Sequence, residues 1–91
     1  MSKLIDSRLV GQTIKTLRLR HHITQGELAD VIGYSVRNLR RIENDGVTSI
    51  DVINTFAGYF NVSAIDILTG CLLFIFKIKK ALSAFAIQYL L

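Results

Sequence analysis

Two short amphipathic segments, separated only by Gly33 and Tyr34, constrain this chain more than any other feature. The first starts at Thr24 and carries Leu28, Ala29 and Ile32; the second starts at Ser35 and carries Val36, Leu39 and Ile42. Spacings of three and four put each apolar set along one side of a helix. Two such short helices joined by three or four residues cannot bury those sides by themselves. The rest of the chain has to supply a platform.

Local signals mark where each helix starts and stops. Thr24-Gln25-Gly26-Glu27 reads as a capping box, with the threonine hydroxyl and the glutamate carboxylate each satisfying a free backbone amide. Gly33 ends that helix by taking a positive φ, Ser35 caps the next, and Asn44-Asp45-Gly46 stops it. Upstream, Asp6 or Ser7 caps a helix with Leu9 or Val10, Ile14 and Leu17 inward, Arg8, Lys15, Arg18 and Arg20 mostly off that stripe, and a stop near His21-His22. Downstream, a helix from Thr48 or Ser49 carries Ile50, Ile53, Ala57 and Phe60 and ends at Asn61. Ser63-Ala64-Ile65-Asp66 opens a fifth, short helix before Thr69-Gly70. The 91 residues contain no proline, and half are apolar, so an all-α domain with one core is expected.

The start of the third helix points to function. Ser35, Arg37, Asn38 and Arg41 present long hydrogen-bond donors beside a helix N-terminus, which itself favours anions. An arginine fork matches guanine O6 and N7, and an asparagine amide matches adenine N6 and N7. The formal charge of +4 allows nucleic acid, acidic protein or anionic lipid as partner, so the placement of charge decides more than its sum. In helices docked this way the first crosses the backbone, which assigns Thr24 and Gln25 to phosphate.

Residues 10–68 resemble the phage repressor and Cro-like (XRE-type) helix-turn-helix family. The matching residues are Ile14 and Leu17 with basic neighbours, Thr24-Gln25-Gly26-Glu27-Leu28-Ala29, Ile32-Gly33, Ser35, Leu39, Ile42-Glu43-Asn44, Phe60-Asn61-Val62-Ser63 and Ile67-Leu68. The resemblance implies a five-helix lambda-repressor-like DNA-binding domain over residues 1–70. It implies a sequence-specific regulator of transcription, a repressor acting by occlusion, that places residues 25–42 on duplex DNA. Ser35, Val36, Arg37, Asn38 and Arg41 are then the base-reading candidates, and Thr24, Gln25 and Arg40 the phosphate contacts. Ala29 and Gly33 become close-packing positions. The departures are His22 where the family often has glycine, Val36 and Arg37 at variable recognition positions, and Asp45-Gly46 where a basic residue commonly meets phosphate. The same fold also serves as a protein-interaction module or antitoxin-like partner, which is the alternative reading.

Other chemistry finds little support. Glu43 has no second carboxylate, histidine or nucleophile to act with, so a structural hydrogen-bonding role is expected and no enzyme. His21 and His22 point in different directions and lack ligands at metal spacing; no cofactor or metal is expected. Cys71, the one cysteine, has no neighbouring base and reads as a buried structural thiol. The N-terminus has no apolar secretion signal, which points to the cytoplasm.

Residues 71–91 change character. Lys77, Lys79 and Lys80 interrupt the apolar stretch, and each central lysine costs about 2.5–3.5 kcal/mol in a membrane, so no span is expected. At helical period, Phe74, Ile78, Leu82, Phe85 and Tyr89 form a stripe; at period two, Phe74, Phe76 and Ile78 alternate with Ile75, Lys77 and Lys79. Self-association into a homodimer, by helix or strand, is the leading expectation for this extension. Folding back onto its own domain and lying on a membrane surface are the alternatives.

Overall fold

The computed structural model describes residues 5–70 and arranges them as five helices: α1 (Ser7–Arg20), α2 (Gln25–Ile32), α3 (Val36–Asp45), α4 (Ile50–Phe60) and α5 (Ala64–Thr69). No strand occurs among the described residues, in agreement with the all-α expectation. The C-terminal extension, 71–91, lies outside them.

Each helix begins with a side chain that accepts an otherwise free amide proton. Asp6 takes those of Arg8 and Leu9, and Thr24, Ser35, Ser49 and Ser63 each take that of the residue three positions on. The boxes at Thr24/Glu27 and Ser63/Asp66 are both closed. The Thr24 backbone N–H, and then its side chain, hold the Glu27 carboxyl below its ordinary range.

Around these starts one core assembles from Val10, Ile14 and Leu17 of α1, Leu28 and Ala29 of α2, Leu39 and Ile42 of α3, Ile53, Phe56, Ala57 and Phe60 of α4, and Ile67 of α5. α1 is the central element, packed against α3, α4 and α5, while α2 rests on α3 and α4. Two residues expected inside are exposed: Val36 at 38% and Ile50 at 47%. Both are the first residue of their helix, and a helical side chain leans back toward the N-terminus, here off the end of the core. Phe56, absent from the expected stripe of α4, is fully buried. Arg18, expected off the stripe of α1, is buried.

The close approach falls elsewhere than anticipated. Gly33 has φ +80° with nothing within 4 Å of where a Cβ would stand, so glycine is needed there for conformation and not for packing. The tight contact lies between α1 and α3. A Cβ on Gly46 would come 1.7 Å from the Ser7 carbonyl oxygen, and one on Gly11 would come 2.6 Å from that of Ile42. Only glycine at both places lets the two backbones meet.

His22 occupies the left-handed region at φ +55°, in the turn between α1 and α2, a conformation that glycine adopts without steric penalty. The cost to a side-chain-bearing residue is about 1–2 kcal/mol, partly offset by the larger chain entropy that glycine loses on folding. His22→Gly is therefore expected to stabilise the protein by about 0.5–1 kcal/mol in urea denaturation. His21→Gly is the contrast. His21 has φ −86° and a ring contact with Phe60 at 5.0 Å between centroids, so its replacement should destabilise.

Candidate nucleic-acid interface

α2 and α3 are joined by Gly33, Tyr34 and Ser35. The Tyr34 N–H returns to the Ala29 carbonyl at 2.8 Å, closing α2, and its ring meets Phe56 edge-on at 5.9 Å, anchoring the turn to α4. The Ser35 hydroxyl then accepts from the Asn38 N–H at 3.0 Å and starts α3. The turn thus fixes where α3 begins.

A buried ion pair fixes where it lies. Arg18 Nε donates to Glu43 Oε2 at 2.7 Å and Nη2 to Oε1 at 3.2 Å, while Nη1 donates to the Ile23 carbonyl at 3.0 Å. Gln25 Nε2 donates to Glu43 Oε1 at 3.0 Å. The side chains of Arg18 and Glu43 are 9% and 1% exposed, and no buried side-chain polar atom among the described residues lacks a partner. One carboxylate therefore joins α1, the first residue of α2 and the far end of α3, and Arg18 ties the α1–α2 turn to the same set. The expectation of a structural Glu43 agrees with this. Its partner Arg18 was missed, although Arg18 follows Ile14 by four residues and Glu43 is an acid beside Leu39 and Ile42 on the inner side of a basic helix.

Gln25, expected at phosphate, is half-buried and turns one amide N–H inward to Glu43, leaving the second for an outside acceptor. Thr24 is exposed, with its hydroxyl engaged as the cap of α2. Both border an open concavity that also includes His22 and Ile23. On α3, Ser35, Arg37, Asn38 and Arg41 line a single shallow depression, and Arg41 Nη2 donates to Asn38 Oδ1 at 2.8 Å. Val36 and Arg40 are exposed but stand outside that depression's lining.

The charge balance is more local than its sum suggests. Residues 5–70 hold seven basic and seven acidic side chains, so the excess of +4 comes from Lys3, Lys77, Lys79 and Lys80. Within 5–70 most of the acids sit at structural positions: Asp6, Glu27 and Asp66 in caps, Asp51 in the first turn of α4, and Glu43 in the buried pair. Arg37, Arg40 and Arg41 join no ion pair among the described residues. A neutral domain thereby keeps a cationic face. No group of three or more His, Cys, Asp or Glu among the described residues is placed to hold a metal ion.

Comparison with known proteins agrees with this geometry. A profile of the helix-turn-helix family matches residues 14–67, more than half of the chain. The chain is also 41% identical over 61 residues to a protein named Antitoxin PezA from Streptococcus pneumoniae serotype 4. That match takes in 65% of this chain and 38% of the relative, so the chain spans well under two thirds of that protein's length.

Removing one partner of the buried pair leaves the other charged and desolvated, which costs about 3–5 kcal/mol. Glu43→Ala should lower the unfolding free energy by about that amount in urea denaturation, while Arg18→Met combined with Glu43→Leu should recover most of the loss. A Glu43→Ala loss under about 1 kcal/mol would mean that the pair is screened as a surface bridge would be.

Proposed function

The chain belongs to the XRE-type helix-turn-helix family of DNA-binding regulators, and from that premise we propose that it represses transcription by occupying operator DNA with α3 in the major groove. The observation that carries this reading is the α3 surface itself. Its arginines are free of ion pairs and face outward on a helix held from behind by Glu43. Ser35, Val36, Arg37, Asn38 and Arg41 read base edges; Thr24, Gln25 and Arg40 hold phosphates. The role is binding without catalysis, in the cytoplasm. No helix among the described residues is long and apolar enough to cross a membrane.

The relative named an antitoxin supports a second reading, in which the chain also binds a toxin protein. The two readings are compatible, since the family match covers the helices that would meet DNA and leaves residues 71–91 for another partner. Residues 71–91 serve a homodimer in the reading proposed here. A two-fold axis would bury Phe74, Ile78, Leu82, Phe85 and Tyr89 of two copies against each other and present two α3 helices to half-sites about 34–36 Å apart.

Two measurements check these statements. With an operator selected from a random duplex pool, Arg37→Ala or Arg41→Ala should lower affinity by about 1–3 kcal/mol and relax preference at one base pair. Arg40→Ala should weaken all sequences alike and reduce the salt slope by about one. Arginine variants that bind operator and random DNA as the parent does would defeat the groove assignment. Among the described residues the buried core runs from Val10 to Ile67, and a chain lacking residues 71–91 should remain folded. It should sediment as a monomer and bind operator much more weakly, because each half-site is then held alone. A full-length monomer at tens of micromolar, or an equally dimeric truncation, would favour the fold-back alternative.

A further inference from the structure

We infer, on the DNA-binding reading proposed above, that His22 is a proton-linked contact to the DNA backbone, so that the chain holds duplex DNA more tightly as pH falls from about 8 to about 6. His22 lies in the α1–α2 turn in the left-handed conformation, at φ +55°. A side chain there works against the backbone, and strain of that kind collects at ligand sites. His22 is exposed and lines one open concavity with Arg18, Leu19, Ile23, Thr24 and Gln25. Thr24 and Gln25 are the residues at the start of α2 proposed to hold phosphate, and His22 stands beside them. Gln25 keeps a second amide N–H after its bond to Glu43, and Arg18 keeps N–H groups beyond those given to Glu43 and Ile23. Hydrogen-bond donors therefore gather where a phosphate is expected.

The concavity lacks a fixed charge to match that phosphate. Arg18 is offset by Glu43 of α3 at 2.7 Å, and Thr24 and Gln25 are neutral. The other charged groups around the turn are Arg20 of α1, which borders the neighbouring depression with Thr16, Leu19 and His22, and Glu27 of α2, which accepts from the Thr24 N–H. His21, the other histidine of the chain, has its ring against Phe60 of α4 at 5.0 Å and does not line the concavity. Bonds from Thr24 hold the Glu27 carboxyl below its ordinary range, so Glu27 keeps its charge across the interval in which a histidine gains one. Within the concavity, the side chain that changes charge over that interval is His22. A neutral imidazole donates one N–H; a protonated one donates from both nitrogens and carries a positive charge. A phosphodiester favours the protonated form, and by linkage DNA binding and proton uptake strengthen each other by the same factor. Phosphate free in solution has the same chemistry, so the test separates it from the DNA backbone.

The test measures affinity of the full chain for an operator selected from a random duplex pool, at two pH values and over a range of salt. From about pH 8 to about pH 6 affinity should rise on the order of tenfold, and the slope of log affinity against log salt should steepen by about one, as for one further phosphate neutralised. His22→Asn, which accepts the left-handed backbone and has no titrating group, should show neither change. His22→Lys, charged throughout, should bind at both pH values as tightly as the parent does at the lower one. Followed by NMR, the His22 ring should titrate at higher pH with operator present than with an equal concentration of inorganic phosphate. Affinity and salt slope indifferent to pH, a pH response that survives in His22→Asn, or inorganic phosphate moving the His22 titration as far as operator does would overturn the inference while leaving DNA binding intact. Absence of duplex binding at every pH would instead reject the reading on which it rests.

Discussion

The carboxylate of Glu43 is the point on which the recognition surface depends. Two charges withdrawn from water are costly, and their attraction offsets that cost only when geometry is good and the remaining lone pairs are satisfied. Both conditions hold here: a two-pronged contact with Arg18, and a further bond from Gln25. The consequence is directional in a way that apolar packing is not. Leu39 and Ile42 could tolerate a small rotation of α3, but a fork of hydrogen bonds to a residue one position beyond Ile42 cannot. Arg37 and Arg41 are aimed outward because Glu43 is held inward.

The same bond set joins α3 to Gln25, the residue proposed to meet phosphate. Gln25 stands at the start of α2 and shares Glu43 with Arg18, so a contact made by its second amide proton is registered against α3 through a single carboxylate oxygen. Backbone contacts in such interfaces set the register in which bases are read. In the proposed complex, position along the DNA and orientation of the reading helix would have a common support. The glycines at 11 and 46 complete it, since the α1–α3 separation they permit is what brings Arg18 within reach of Glu43.

Electrostatic economy follows from the division of acids and bases. A domain with equal numbers of each carries no net charge, yet most of its carboxylates sit at caps and in the buried pair, where they stabilise helices or α3. The arginines of α3 keep their charge for a ligand. This separates two demands that a more uniformly basic surface would merge: folding, served by the acids, and the attraction to a polyanion that the proposed function assigns to α3.

Helix limits, caps and most of the core were legible in the sequence because the interactions behind them are local. A cap acts over two or three residues, and a buried stripe repeats every three or four, so Thr24, Gly33, Ser35, Asn61 and Ser63 announce themselves without knowledge of the fold. The candidate reading residues were legible for the same reason, as an interruption of acid-free polar positions after a cap. What escaped depends on distance through the chain. Arg18 and Glu43 are 25 residues apart, and nothing at either position says that the other will neutralise it. Gly46 meets the Ser7 carbonyl only once α1 and α3 have crossed. Val36 and Ile50 follow the period of buried residues yet lie past the edge of the core, whose extent is set by other helices. The sequence by itself determined which segments are helical and which sides they bury; the tertiary structure alone decided which charges are interred and which face outward, because burial of a charge requires a partner that only the assembled fold brings near.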